Sequence, residues 1–149
     1  LKQAVQERLL FNQLQFSLMF TGMVDAGLNV NMKNPPSIDH DGGTLDYCRL
    51  HNITVQAWSP FQYGFFEGVF VGNDKFPDLN KALNEVAETY SVSPSAVAVA
   101  WLLRHPADMQ VVLGTTTPAR VRDISRAADI SLSRADWYKL YLAAGNELP

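Results

Sequence analysis

Two short apolar segments of the chain end in residues suited to binding a polar ligand that carries aromatic rings. The first ends in Trp58, Ser59, Pro60 and Phe61, and the second ends in Gly114, Thr115, Thr116, Thr117 and Pro118. An apolar run that stops at small, hydroxylated or ring-bearing residues is typical of a buried strand that opens into a loop. In α/β proteins, loops at the C-terminal ends of strands carry the ligand sites. The two endings together predict a nucleotide site.

The first ending combines an aromatic surface with a loop that permits close approach of the backbone. Trp58 can stack on a planar ring, and Ser59 supplies a hydroxyl. Gly64 lets backbone amides come close to anionic oxygens. Two alternatives stay open: Trp58 is an ordinary core tryptophan beside a turn, or the loop is a surface segment whose aromatic side chains pack inward.

The second ending precedes a predicted helix, whose N-terminus presents unpaired amides and the positive end of its dipole. The threonine hydroxyls at 115–117 add donors. Arg120 can pair with a phosphate or stack on adenine through its planar guanidinium. The alternative is that a threonine simply caps the helix and that Arg120 is a solvated charge.

Four segments resemble, in their order and spacing, the aldo-keto reductase family. They lie at residues 11–17, 56–61, 93–103 and 112–120, and across 43–49 and 58–64 the chain is most similar to bacterial YdhF-type oxidoreductases. The resemblance implies reversible reduction of an aldehyde or ketone by hydride transfer from a reduced nicotinamide cofactor, NADP(H).

The resemblance also implies a role for each candidate binding residue. It places Gln13 on the nicotinamide carboxamide and Trp58 against the nicotinamide ring. It assigns the pyrophosphate to the loop formed by Ser59, Pro60, Phe61 and Gly64. It assigns the adenosine 2'-phosphate side to the turn with Gly114, Thr115, Thr116, Thr117 and Arg120, and it puts Asp123 near adenine. Many family members have lysine at the position of Gly114 and asparagine at that of Ile124, so one charge and one amide are missing from the site that favours NADP.

The family fold is a (β/α)8 TIM barrel of roughly 250 residues or more, and 149 residues hold about half of one. By the resemblance, the chain is an α/β unit over residues 1–149 that corresponds to the C-terminal half of the barrel, with parallel strands alternating with helices. The strands that carry the family's catalytic Asp, Tyr, Lys and His would lie upstream. We therefore expect cofactor contacts without catalytic residues, and no turnover by this chain alone.

Such a chain needs the missing N-terminal half or self-association to cover its open core, and its expected small-molecule partner is an aldehyde or ketone. Two other functions stay open. One is a non-catalytic, nucleotide-sensing regulatory module of the same fold, and the other is a structural remnant that binds nothing.

Composition narrows the function class without naming one. A net charge of -3 with 12 scattered basic residues gives no electrostatic footprint for nucleic acid or an anionic membrane. No apolar run approaches the length that crosses a bilayer. The single cysteine, Cys48, is compatible with a reducing compartment, so a cytoplasmic location is expected. The three histidines have no spacing that predicts a metal site.

The chain alternates between strand-like and helix-like patterns, which predicts a parallel sheet. Thr44 is expected to cap the second helix, and Asn52 to adopt a left-handed conformation after it. A long loop is predicted at 19–41. Strands are predicted at 11–16, 53–58 and 111–113, and helices at 1–10, 44–51, 77–90, 93–105, 118–128 and 133–144.

Overall fold

Three parallel strands form the main sheet in the computed structural model, which describes residues 8–65 and 67–149. The strands are β1 (Phe11–Gln15), β2 (Thr54–Trp58) and β5 (Gln110–Val111), in the order β1-β2-β5. The register pairs Gln13 with Gln56 and Gln56 with Gln110. The prediction of an α/β chain with a parallel sheet is thus confirmed.

The two faces of this sheet differ in what covers them. Val55 and Ala57 are fully buried beneath the helices, as alternation along a strand requires. On the opposite face Gln56 and Trp58 are half-buried, and Phe11 remains 51% exposed. The helical layer therefore covers one face only, within the described residues.

Six α-helices lie within the described part of the chain. Their bounds are α1 (Gly22–Leu28), α2 (Thr44–Leu50), α3 (Pro77–Tyr90), α4 (Pro94–Leu103), α5 (Pro118–Ser125) and α6 (Arg134–Ala143), and short 3-10 turns cover Pro35–Ser37 and Arg126–Asp129. Helix α4 is central, since every residue from Ala96 to Leu102 is buried. Ser93 caps it by accepting a hydrogen bond from the Ala96 amide at 3.1 Å, and Pro94 occupies its first position. These features match the sequence prediction.

Helix α6 packs its aromatic face against α4. The rings of Trp101 and Trp137 stack at 4.7 Å between centroids, and the ring of Tyr141 lies nearly parallel to both, 5.6 Å from Trp137 and 6.4 Å from Trp101. Each indole N–H donates to the backbone carbonyl of the other tryptophan, at 3.0 Å in both directions. Both buried indole N–H groups therefore have a hydrogen-bond acceptor, as the N–H group of a buried tryptophan usually does.

His105 follows α4 and is half-buried. Its Nδ1 accepts a hydrogen bond from the Ala107 amide at 3.2 Å, which requires an unprotonated nitrogen. Burial, reinforced by the charge of Arg49 and opposed by Asp46, holds the pKa of His105 below its ordinary value near 6.5. The neutral imidazole is thus the form that suits the fold.

The prediction of one long loop at 19–41 is wrong, because helix α1 lies inside it. Two glycines give this seven-residue segment low helix propensity, so its own sequence does not favour a helix. Tertiary contacts hold it: the Asp25 carboxylate accepts from the hydroxyls of Thr21 (3.0 Å) and Tyr141 (2.7 Å). Asn29 adds a bond from its Nδ2 to the Glu147 carbonyl at 3.2 Å.

Three smaller predictions also need correction. The cap of α2 is Gly43 rather than Thr44, and the Asp41 carboxylate accepts from the Leu45 amide at 2.9 Å. An antiparallel hairpin, β3 (Gln62–Tyr63) with β4 (Gly68–Val69), interrupts the expected loop. Its two-residue strands are too short to show a periodic pattern. Several helices also differ from the prediction by a few residues at their ends, as frayed termini do.

The predictions for Asn52 and for a helix at 1–10 have different outcomes. Asn52 does adopt the left-handed conformation, with φ of 53°. The helix predicted at 1–10 falls at residues 1–7 outside the described part of the chain, and residues 8–10 are not helical.

Candidate functional site

A cleft of about 670 Å³ opens at the C-terminal ends of β2 and β5. This volume falls within the range of small-molecule sites. The cleft joins the two loops that the sequence singled out. Its lining residues are Trp58, Ser59, Pro60, Phe61, Gln62, Val69, Val71, Ser95, Val112, Gly114, Thr115, Arg120 and Ile124.

The β2 side of the cleft is held by a tight turn. Trp58 is the last residue of the strand, and its carbonyl accepts from the Phe16 amide at 3.3 Å. Ser59 then adopts a positive φ of 53°, a conformation that costs a non-glycine residue free energy and recurs at functional sites. Gln62 stabilises the turn: its amide donates to the Ser59 carbonyl, and its Oε1 accepts from the Ser59 hydroxyl at 3.1 Å.

The opposite side of the cleft is the start of helix α5. Thr117 is its N-cap residue but makes no side-chain cap bond, and Pro118 follows. Thr115 is half-buried, and its hydroxyl accepts from the Thr117 amide at 3.3 Å. The first turn of α5 therefore faces the cleft region without a side-chain cap, beside the exposed guanidinium of Arg120. Such a helix start suits an anion.

Gly114 lies at the entrance to this turn. It is exposed, and a Cβ built on it would meet nothing within 4 Å. Its backbone does not occupy the left-handed region, so this position admits a larger side chain.

Five of the predicted site residues lie outside the lining of the cleft. Thr116 and Thr117 are exposed in the turn before α5. Gly64 adopts a φ of 58° in the β3–β4 hairpin, where its carbonyl accepts from Gln15 Nε2 at 3.1 Å. Asp123 accepts from the Ser93 hydroxyl at 2.6 Å, which joins α5 to the start of α4. Gln13 lies on the open sheet face, where its Nε2 donates to Gln56 Oε1 at 2.9 Å.

The structure also adds Ser95, from the first turn of α4, as a lining residue that the sequence did not single out. Its position follows from helix packing and has no local sequence signal. Ile124, where many family members have asparagine, lines the cleft from the buried side of α5. Gln62 did have a sequence signal: it lies four residues beyond the end of β2 and three beyond Ser59, with which it forms a hydrogen bond.

A second groove, of about 800 Å³, lies at the opposite end of β2, around Asn52 and Thr54. None of the predicted binding residues lines it, and its edges are the exposed side of α2 and the turn before β5. Although this groove is larger, it lies at the N-terminal ends of the strands, whereas the active sites of α/β barrels lie at the C-terminal ends.

Two other structural features bear on function. Within residues 8–65 and 67–149, no three His, Cys, Asp or Glu side chains lie together in a way that could hold a metal ion. The described helices include none with both the length and the apolar character needed to cross a membrane.

Comparison with known proteins establishes the family. The family model described as the aldo/keto reductase family matches residues 8–141, which is most of the chain. The chain therefore belongs to the aldo/keto reductase family.

Two curated relatives support this assignment. A 6-dehydroglucose reductase of Agrobacterium fabrum is 34% identical over 150 residues, covering 99% of this chain and 43% of the relative. The oxidoreductase YdhF of Escherichia coli is 30% identical over 109 residues, covering 72% of this chain and 35% of the relative. The predicted similarity to YdhF-type proteins is confirmed. The chain spans about two fifths of the length of these relatives.

Solved structures share the fold. The aldo-keto reductase Tm1743, determined with the inhibitor epalrestat, matches with a TM-score of 0.64 and 18% identity over 95% of this chain and 42% of its own. A Gox0644 variant in complex with NADPH matches with a TM-score of 0.58 and 15% identity, over 94% of this chain and 41% of its own.

Proposed function

We propose that the chain is the cofactor-binding part of an NADP(H)-dependent aldo-keto reductase and forms the C-terminal half of its barrel. One observation carries this proposal: the strand end at Trp58 and the turn before α5 line the same cleft. Each of these two segments alone has an ordinary structural explanation, but their meeting in one cleft supports a site for one extended ligand.

The chemistry of the cleft fits a dinucleotide. Trp58 supplies an aromatic surface at one side. Arg120 and the uncapped first turn of α5 supply positive charge and amide donors at the other. Apolar side chains of the same lining, Val71 and Ile124, provide contact area for a ring. Planar groups separated by anionic oxygens would use all three features, whereas a purely apolar ligand would leave the donors unpaired.

When bound, a reduced nicotinamide cofactor supplies the hydride for carbonyl reduction. The residues of this chain would bind and orient it: Trp58 holds the nicotinamide side, the loop from Ser59 to Phe61 holds the pyrophosphate, and Arg120 holds the 2'-phosphate. For Gln13, Gly64, Thr116, Thr117 and Asp123, the roles implied by the family resemblance remain predictions.

The open face of the sheet supports the half-barrel part of the proposal. Phe11 is 51% and Val112 39% exposed there, although strands of parallel sheets are normally covered on both faces. We propose that further parallel strands cover this face and carry the general acid that protonates the substrate oxygen. On this proposal, residues 1–149 do not contain the catalytic group of the reaction.

Titration of the purified 149-residue chain with NADPH tests the proposal. We expect saturable quenching of tryptophan fluorescence, lost in Trp58→Phe, because Trp101 and Trp137 are buried and do not line the cleft. With an aldehyde present, we expect no oxidation of NADPH. Absence of saturable binding would contradict the proposed site, and sustained turnover would contradict the assignment of catalysis to other strands.

A further inference from the structure

The open face of the sheet carries a row of three glutamines, one on each strand. Gln13, Gln56 and Gln110 stand opposite one another in the register of β1, β2 and β5. Gln13 Nε2 donates to Gln56 Oε1 at 2.9 Å, and Gln56 Nε2 donates to Gln110 Oε1 at 3.0 Å. Both bonds run in the same direction across the sheet.

This direction decides which atoms of the row are left for a ligand. Because Gln13 uses its Nε2 as a donor to Gln56, its Oε1 has no partner within the described residues. A glutamine amide that is free to flip can present either its oxygen or its nitrogen to a ligand. The chain of bonds couples the three amides, so Gln13 cannot flip alone without setting its oxygen against the oxygen of Gln56.

The row lies directly beneath the proposed site. Trp58 is two residues beyond Gln56 on the same face of β2, a rise of roughly 7 Å. Gln13 lies on the neighbouring strand, at the same level as Gln56. The unpaired oxygen of Gln13 therefore belongs to the same open face as the indole of Trp58.

We propose that Gln56 and Gln110 are positioning residues that hold the Gln13 amide with its oxygen toward the carboxamide N–H group of a nicotinamide ring. This inference rests on the proposed function. Gln56 acts through Gln13, and Gln110 acts through Gln56. Neither side chain needs to touch the cofactor.

The test compares two probes, NADPH and 2'-phospho-ADP-ribose, which has the same phosphates and adenosine but no nicotinamide. In Gln56→Leu, we expect NADPH to bind about 3- to 10-fold more weakly, the range set by one hydrogen bond, with unchanged binding of the second probe. Gln110→Leu should also weaken NADPH binding, but by a smaller factor than Gln56→Leu. Gln56→Glu keeps an acceptor for Gln13 Nε2 and should retain more affinity than Gln56→Leu.

Thr54→Val is the matched control, because Thr54 lies on the same face of β2, two residues below Gln56, and its side chain makes no hydrogen bond within the described residues. Its binding of both probes should be unchanged. Gln110 is exposed, so its variant tests the inference even if a change at the central strand prevents folding.

The outcomes separate the two proposals. If the unmodified chain binds neither probe, the proposed function is wrong and this inference with it. If it binds both, and NADPH affinity is unaltered in Gln56→Leu and Gln110→Leu, only the positioning role is refuted. Equal weakening of both probes in these variants would show that the row merely supports the sheet, which also refutes the positioning role.

Discussion

Removing the charge of Arg120 gives the most direct measure of the proposed 2'-phosphate contact. Arg120 lies in the first turn of α5 and lines the cleft. Hydrogen bonds to charged groups contribute about 1.5–3 kcal/mol. Because Arg120 is exposed, the lower end of this range applies. A loss of about 1.5 kcal/mol corresponds to roughly tenfold weaker binding.

We therefore expect Arg120→Met to weaken NADPH binding about tenfold and to change NADH binding by less than about twofold. NADH lacks the 2'-phosphate, so it reports whether the fold and the rest of the site are intact. Isothermal titration at low and moderate salt would measure both, and the NADPH difference should shrink as salt screens the exposed charge.

Arg122→Met is the matched control for Arg120→Met. Arg122 lies on the same helix and is exposed, but it does not line the cleft. Its variant changes the net charge by the same amount, so it reports long-range electrostatics alone. The assignment of Arg120 is refuted if the two variants weaken NADPH equally, or if Arg120→Met weakens NADPH and NADH by the same factor.

Three further changes have expected outcomes. Gly114→Lys should bind NADPH several-fold more tightly, with stability altered by less than about 0.5 kcal/mol, because a Cβ there meets open space; calorimetry that shows a large loss of stability would contradict this. Trp137→Phe should lower the free energy of unfolding in urea by about 1–3 kcal/mol, since it leaves the buried Trp101 carbonyl without its indole donor; a change within error would refute that reasoning. The lowered pKa of His105 means that the unfolded state binds the proton more tightly, so stability should be full above about pH 6.5 and fall as the pH drops below it. Urea unfolding at about pH 7.5 and pH 5.5 should show a smaller loss in His105→Gln, and an equal loss in both proteins would exclude this group.

Helices with strong local signals were predictable from the sequence. Helix α3 occupies 77–90 as predicted, because its apolar residues repeat at helical spacing. Helix α4 begins where Ser93 and Pro94 place it. In both helices, neighbouring residues encode where the helix begins and which of its residues are buried. The tertiary structure agrees with these local signals.

Segment 19–41 shows the limit of such local reasoning. Its glycines and prolines predict a loop, yet Asp25 anchors a helix there through Tyr141, which is 116 residues away. No pattern within the segment identifies that partner. The same holds for the hydrogen-bond partner of Asp123: its carboxylate accepts from Ser93, 30 residues away, and no local pattern identifies that donor.

Local sequence determined the helices with clear periodicity or caps, such as α3 and α4, the parallel strands and the two loops that bear the predicted binding residues, because periodicity, caps and strand ends are properties of neighbouring residues. Only the tertiary structure decided that Trp58 and Arg120 line one cleft. Only the register of β1, β2 and β5 put three glutamines in one hydrogen-bonded row. Both facts depend on how distant strands align, and a shift of one residue in that alignment would turn these side chains to the opposite face.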